Sequence, residues 1–157
     1  MESFRFIKEK EIKMVAYPKT YLFNAMDTFG ESVHTATYDL SISPNDFMQM
    51  FIISGVASQF EIGNPKYLLG KSGRELAFNV YEKTHNQPVY CPPVSFDSLS
   101  SPEYWAGWIL AYYQWFSKRT FKAIQNVFPL EELINKYHPL HEADERNIVT
   151  YIEQYFI

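Results

Sequence analysis

One aromatic segment decides the fold of this 157-residue chain: Ser101-Pro102-Glu103-Tyr104-Trp105-Ala106-Gly107-Trp108-Ile109-Leu110-Ala111-Tyr112-Tyr113-Gln114-Trp115-Phe116. Serine followed by proline and glutamate is a typical helix start, because proline suits the first helical position and an acid suits the first turn. Five large apolar residues then recur at helical spacing and are predicted to share one buried face: Trp105, Trp108, Ile109, Tyr112 and Phe116. The other faces are also far from polar, so we expect this helix to be the central one.

Helical patterns continue on the N-terminal side of this segment. Apolar residues recur at three- and four-residue steps from Pro18 to Leu40, which predicts an amphipathic helix. A second start signal, Ser43-Pro44-Asn45-Asp46, predicts a helix that runs to about residue 62. Ser54-Gly55 lies in the middle of that helix and predicts a close approach of another backbone. Ser72-Gly73-Arg74-Glu75 matches the capping box and predicts a helix to about residue 83.

The C-terminal third contains shorter helical patterns. Thr120 is predicted to cap one helix and Pro129 to open another, which Pro139 breaks. The last helix is expected from about residue 142 to 155. The sequence therefore predicts an all-α fold, a single-domain bundle of six or seven helices over residues 17–157. Residues 1–16 are left as an unassigned N-terminal arm.

Composition excludes several classes of function. The chain has 14 Lys+Arg against 18 Asp+Glu, a net charge of −4, which argues against general binding to nucleic acid or to anionic membranes. A single cysteine excludes an internal disulfide and a cysteine zinc site. The N-terminus lacks the apolar core of a signal peptide, and the apolar windows are shorter than a bilayer span. We therefore expect a cytoplasmic protein with no membrane association.

Candidate chemical motifs are incomplete. Gly70-Lys71-Ser72 resembles the end of a phosphate-binding loop, but Pro65 stands where that motif requires its first glycine. His138, His141 and Glu142 do not have the spacing of a zinc helix. No histidine near Cys91 in sequence would activate its thiol. The sequence thus predicts no catalytic, metal-binding or cofactor-binding residue, and no cofactor.

The aromatic content, 18% of all residues, predicts a binding surface in addition to a core. The basic and aromatic stretch 112–122 is the candidate for nucleic acid, since rings and cations together hold single strands. Its rings have helical spacing, however, which favours burial over direct nucleic-acid binding. We instead predict a protein-binding surface made of these residues: Tyr104, Tyr113, Trp115, Lys118 and Arg119.

A second hypothesis places function in two loops, residues 63–75 and 85–99. The candidate ligand residues in the first loop are Asn64, Lys66, Tyr67 and Lys71, and the second loop contributes Cys91. A deep polar pocket lined by these residues would favour a small-molecule-binding or enzymatic domain. A flat aromatic patch would favour an interaction module instead.

Two stretches of the chain resemble an uncharacterised bacterial family of small helical proteins. One covers residues 51–67 and 70–77, and the other is Ser101-Pro102-Glu103-Tyr104-Trp105-Ala106-Gly107-Trp108 continuing through residues 111–115. Members of that family often carry a C-terminal helix-turn-helix domain, as in repressors and antitoxins. No such domain is seen up to Ile157, which argues against autonomous DNA binding. The resemblance covers about residues 45–155.

The C-terminal part is similar to a short domain of unknown function found in toxin–antitoxin-type loci, on the residues Tyr137-His138-Pro139-Leu140-His141, Ile148-Val149 and Tyr151-Ile152. Together, the two resemblances imply a bacterial regulatory or toxin–antitoxin-type locus. The function predicted is a non-enzymatic module that binds a protein partner, with a homodimer also compatible. The alternatives are the loop-based ligand domain and a mobile-element-encoded inhibitor of a host nuclease.

Overall fold

The computed structural model describes residues 16–92 and 101–157, which form an all-α fold. The predicted arm, residues 1–16, therefore lies outside the described residues apart from Ala16, as do residues 93–100, which include the end of the predicted loop 85–99. Two short 3-10 helices, Lys19–Tyr21 and Gln154–Phe156, flank ten α-helices in the described ranges. These are α1 (Leu22–Tyr38), α2 (Pro44–Ile53), α3 (Val56–Glu61), α4 (Pro65–Leu68), α5 (Gly73–His85), α6 (Pro102–Ser117), α7 (Phe121–Val127), α8 (Leu130–Asn135), α9 (Tyr137–Leu140) and α10 (Glu145–Glu153).

The centre of the fold is the contact between α1 and α6. A Cβ added to Gly107 would lie 2.9 Å from the Cα of Gly30 and 3.0 Å from the carbonyl oxygen of Phe29. A Cβ on Gly30 would in turn lie 2.7 Å from the carbonyl oxygen of Tyr104. The two helices therefore touch backbone to backbone, a distance that only glycine permits on both sides.

The start of α5 packs against the other side of α1. Gly73 has no room for a side chain, because Thr28, Glu31 and Ser32 of α1 surround the position that its Cβ would take. The predicted capping box is confirmed, with Ser72 accepting from the Glu75 N–H and Glu75 accepting from the Ser72 N–H. The capping box thus fixes the end of α5 that contacts α1.

Four phenylalanines from four helices form the middle of the core, and each has no exposed surface. The ring of Phe29 lies 4.9 Å from Phe51 and 5.2 Å from Phe121, between centroids. Phe60 lies 5.8 Å from Phe29 and completes the cluster. Tilted and edge-on pairs at these separations are favourable for aromatic rings. The cluster joins α1 to α2, α3 and α7.

Helices α2 and α8 cap each other. The Asn45 backbone N–H donates to Oε2 of Glu131 at 3.0 Å, and the Glu131 N–H donates to Oδ1 of Asn45 at 3.1 Å. Gln125 donates its side-chain amide to the same Asn45 oxygen and accepts from the Leu130 N–H. Backbone donors at the starts of both helices are thus satisfied across a tertiary contact.

Helix boundaries differ from the prediction at three places, the first being the short helix α4 (Pro65–Leu68) inside the predicted loop 63–75. The helix predicted to reach residue 62 stops at Ile53 and restarts at Val56, because Gly55 has a left-handed φ of 86°. No atom lies within 4 Å of a Cβ built on Gly55, so the predicted close approach there is wrong and the glycine serves a turn. Pro139 lies inside α9, while the chain breaks at Lys136 and α10 begins only at Glu145. These breaks raise the helix count above six or seven.

The buried face of α6 also differs from the prediction. Phe116 is 52% exposed, whereas Tyr113 is fully buried. Trp105, Trp108 and Tyr112 are half-buried at the edge of the core. The reason is the contact between Gly107 and Gly30. Because the face of α6 that contains Gly107 packs against α1, the large rings lie on the flanking faces of α6, where burial is partial.

The close approach of α1 and α6 leads to a test at Gly107. In an exposed helix, replacing glycine by alanine stabilises by about 1 kcal/mol. At Gly107 the added methyl overlaps Gly30, so we expect Gly107→Ala to lower the free energy of unfolding by about 1–3 kcal/mol. Urea denaturation measures the change, with Asn147→Ala on the exposed face of α10 as control. Stabilisation by Gly107→Ala would contradict the backbone contact.

Glu61 is a buried acid, 6% exposed, that ties α3 to α7. Its Oε2 accepts from the Phe121 N–H at 2.6 Å. Burial raises the pKa of Glu61 above its usual value, although the Phe121 hydrogen bond opposes the shift. The folded chain therefore binds this proton more tightly than the unfolded chain does. Folding stability falls as the pH rises from the usual glutamate range through the raised pKa.

We expect Glu61→Gln to remove this pH dependence, because the amide oxygen still accepts from Phe121 but does not ionise. Wild type loses stability relative to Glu61→Gln as the pH is raised from 4 to 8 in urea denaturation. Glu61→Leu is the matched comparison: it leaves the Phe121 N–H unpaired and costs about 1–3 kcal/mol across that range. A constant difference between wild type and Glu61→Gln would contradict the burial of an ionisable carboxyl.

Candidate partner-binding groove

An apolar groove of about 240 Å³ lies beside the contact between α1 and α6. Both helices, the 3-10 helix before α1 and the start of α10 contribute to its lining: Lys19, Leu22, Phe23, Met26, Trp108, Tyr112 and Glu145. We call these seven residues the aromatic groove. It carries one cation and one anion.

Helix α1 supplies one wall of the aromatic groove. Leu22 and Met26 are one turn apart and buried, at 6% and 5% exposure. Phe23 lies next to them in sequence but points away from the core and is 71% exposed. A ring of that size at that exposure leaves a large apolar surface in water, at a cost of about 25 cal/mol per Å².

Helix α6 supplies the opposite wall. Trp108 and Tyr112 are also one turn apart, and both are half-buried. The Tyr112 ring stacks on Phe116, with centroids 6.4 Å apart and 18° between the ring planes. These rings continue the apolar surface towards the end of α6. Trp108, Tyr112 and Phe116 flank the face of α6 that contains Gly107, because that face packs against α1.

A second cavity, of about 440 Å³, lies at that end of α6. Its lining comes from α6 and α10: Phe116, Ser117, Arg146, Val149, Thr150 and Glu153. Glu145 of the aromatic groove and Arg146 of this cavity are adjacent residues. The two concave surfaces therefore flank the first turn of α10.

The predicted protein-binding residues do not form one exposed surface. Tyr113 is fully buried, so it belongs to the core and not to an accessible patch. Trp115 is half-buried and donates its indole N–H to the Tyr17 carbonyl at 2.8 Å. Tyr104 donates to Oδ1 of Asp27 at 2.5 Å. Of the five residues, only Lys118 is exposed.

Arg119, the fifth of these residues, belongs to a cluster at the C-terminus. Its side chain is 12% exposed, and its guanidinium lies 4.1 Å from the centroid of the Phe156 ring. Glu153 accepts from the Tyr113 hydroxyl at 2.6 Å and lies 3.8 Å from the Arg119 Nε. Burial raises the pKa of Tyr113, and the hydrogen bond to Glu153 adds to the shift, so the phenol keeps its proton. The cluster holds α10 on the core.

The candidate ligand residues of the loop 63–75 are bonded to one another. Asn64 caps α4 by accepting from the Lys66 N–H, and its amide donates to Gln59. Tyr67 is buried, and the ammonium groups of Lys66 and Lys71 lie 5.7 and 5.9 Å from its ring centroid. These cation–π contacts account for both lysines. Neither cavity described above is lined by these residues.

The remaining candidates for chemistry also have local structural contacts. His141 hydrogen-bonds the Tyr137 carbonyl through Nδ1 at 2.7 Å and stacks on the Tyr137 ring. His34 contacts Ser101 at 2.7 Å. Burial raises the pKa of the Cys91 thiol, which disfavours the reactive thiolate. Within the described ranges, no three acidic, histidine or cysteine side chains are placed to hold a metal ion.

Sequence reasoning missed the aromatic groove. It assigned Trp108 and Tyr112 to the core and gave Phe23 no role. The available signal was Phe23 itself, a large apolar residue that falls off the stripe of Leu22, Met26 and Phe29. One exposed ring is ordinary, but the structure places Phe23 in a contiguous apolar patch with Trp108 and Tyr112, and such a patch is typical of an interaction site.

No family model, curated protein or solved structure matches the chain. The resemblance to a bacterial helical family therefore stays a prediction from the sequence. None of the helices in the described ranges has both the length and the apolar character needed to cross a membrane.

The two phenylalanines of α1 differ in exposure, since Phe23 is exposed and Phe29 is buried, and this difference leads to a stability test. Phe23→Ala is expected to change the free energy of unfolding by less than about 0.5 kcal/mol, because little buried surface is lost. Phe29→Ala removes a ring with no exposed surface and is expected to cost about 3–5 kcal/mol. Thermal or urea unfolding of the two variants measures this contrast. Equal losses would mean that Phe23 belongs to the core.

Proposed function

We propose that the protein is a non-enzymatic interaction module that binds an apolar segment of a protein partner in the aromatic groove. The observation that carries the proposal is Phe23, which is 71% exposed beside the half-buried Trp108 and Tyr112. Aromatic residues in partly preformed concave sites contribute a large share of binding energy at protein interfaces.

The shape of the groove suits an amphipathic helix of the partner. Its walls are two helices of this chain, and each wall presents residues one turn apart. Apolar side chains spaced by three or four residues on a partner helix match such walls. Lys19 and Glu145 at the groove would pair with an acid and a base that flank the apolar anchors. The partner we infer is thus a helical segment with both charges.

The resemblance described above supports the cellular setting. It favours a bacterial regulatory or toxin–antitoxin-type locus in the cytoplasm. In such a locus the partner is a second protein of the same locus, and recognition through a groove requires no catalytic residue in this chain.

Affinity purification from cells that naturally express the protein tests the proposal. We expect the wild-type chain to recover a stoichiometric protein partner. With Phe23→Ala, the amount of partner recovered is expected to fall tenfold or more. Tyr90→Ala is the matched control, since Tyr90 is 78% exposed but lies in the loop after α5. The control variant should recover the partner as wild type does.

Two results would overturn the proposal. One is the absence of any stoichiometric protein partner. The other is equal recovery with Phe23→Ala and with wild type, which would place binding elsewhere on the surface. Because Phe23→Ala should retain wild-type stability, loss of the partner cannot be ascribed to unfolding.

A further inference from the structure

One side of α10 carries two opposite charges on residues that do not line the aromatic groove. We call this side the edge of α10. Arg146 and Glu153 are seven residues apart, which places them two turns, or about 10 Å, apart along one side of the helix. Val149, a core residue with 5% exposure, and the exposed Thr150 lie midway between them. All four residues line the 440 Å³ cavity opposite Phe116.

The charge of Arg146 does not stabilise α10. Arg146 lies in the first turn, next to the Asp144 cap, where the helix dipole disfavours a cation. It is exposed, and no described residue forms a salt bridge or a side-chain hydrogen bond with its guanidinium. Its position instead leaves the guanidinium available to an acid outside the chain.

The charge at the other end of the edge is also accessible. Glu153 accepts from the Tyr113 hydroxyl and lies 3.8 Å from the Arg119 Nε, yet its side chain is 41% exposed and can contact a second cation. Phe116, across the cavity, is 52% exposed and supplies an apolar surface. Along the edge, the cation Arg146 is therefore followed by Val149 and Thr150 and then by the anion Glu153. The Phe116 ring lies beside them.

This order is self-complementary. If a second α10 packs antiparallel with a twofold axis between Val149 and Thr150, Arg146 of one copy lies opposite Glu153 of the other. The same operation places Glu153 opposite Arg146, so both charge pairs form at once. A twofold interface always repeats each contact in this way.

We infer that the edge of α10, made of Arg146, Val149, Thr150 and Glu153 with Phe116, is a homodimer interface between two copies of this chain. Two short helices bury an area at the low end for protein interfaces, so the dimer is weak and dissociates on dilution. Exposed ion pairs are screened by salt, and the dimer weakens as the salt concentration rises. The inference is independent of the proposed function, whose groove shares none of these five residues.

Charge reversal tests the pairing directly. In Arg146→Glu both contacts become Glu against Glu, and in Glu153→Arg both become Arg against Arg. We expect each variant alone to raise the dissociation constant tenfold or more in sedimentation equilibrium. An equimolar mixture of the two variants restores attraction at both contacts, so we expect a heterodimer with wild-type affinity.

Matched controls carry the same charge changes elsewhere. Lys122→Glu on α7 and Glu142→Arg before α10 alter exposed residues outside the edge and are expected to dimerise as wild type does. Arg146→Glu places an acid at a helix N-terminus, which favours folding, so loss of its dimer is not a folding defect. A monomeric wild type at millimolar concentration, or a mixture that stays monomeric, would overturn the inference.

A cross-link gives a second measurement if Glu153→Arg fails to fold. Thr150 lies next to the proposed axis, so Thr150→Cys in a Cys91→Ser background is expected to form a disulfide-linked dimer on mild oxidation. Asn147→Cys, one turn earlier and also exposed, lies farther from the axis and should cross-link at least tenfold more slowly. Equal rates at the two positions would overturn the antiparallel arrangement.

Discussion

The backbone contact between Gly30 and Gly107 is the constraint on which the rest of the structure depends. It allows α1 and α6, the two longest helices, to touch without intervening side chains. A Cβ at either position would overlap atoms of the other helix. The two helices can therefore approach this closely only through the faces that carry Gly30 and Gly107. The orientation of every ring on α6 then follows from the position of Gly107 on the helix.

The surface properties of the chain follow from that orientation. Trp108, Tyr112 and Phe116 lie to the side of the contact, where burial is partial, while Tyr113 points inward and bonds to Glu153. Partial burial of large rings leaves an apolar surface in water, which a partner can cover. The aromatic groove is thus a consequence of helix packing and not of any local motif.

Buried and half-buried polar groups attach the shorter helices to this pair. Glu61 accepts from the start of α7, and Asn45 and Glu131 bond reciprocally across α2 and α8. Short helices have many unsatisfied backbone donors for their length, so side chains of other helices supplement the local caps Ser43 and Thr120 and serve α8, whose Pro129 cap has no side-chain acceptor. The shift in the pKa of Glu61 shows the cost of this arrangement, since a carboxylate must leave water to make the bond.

Local sequence determined the all-α class, the starts of α2, α5, α6 and α7, and the buried stripe of α1, because capping and apolar periodicity act between residues a few positions apart. It did not determine which face of α6 is buried. All faces of that helix are apolar, and the choice depends on Gly30, 77 positions away from Gly107. Only the tertiary structure therefore removed Tyr113 from the candidate surface and brought Phe23 to Trp108 and Tyr112. A site assembled from separate helices is decided by how they pack.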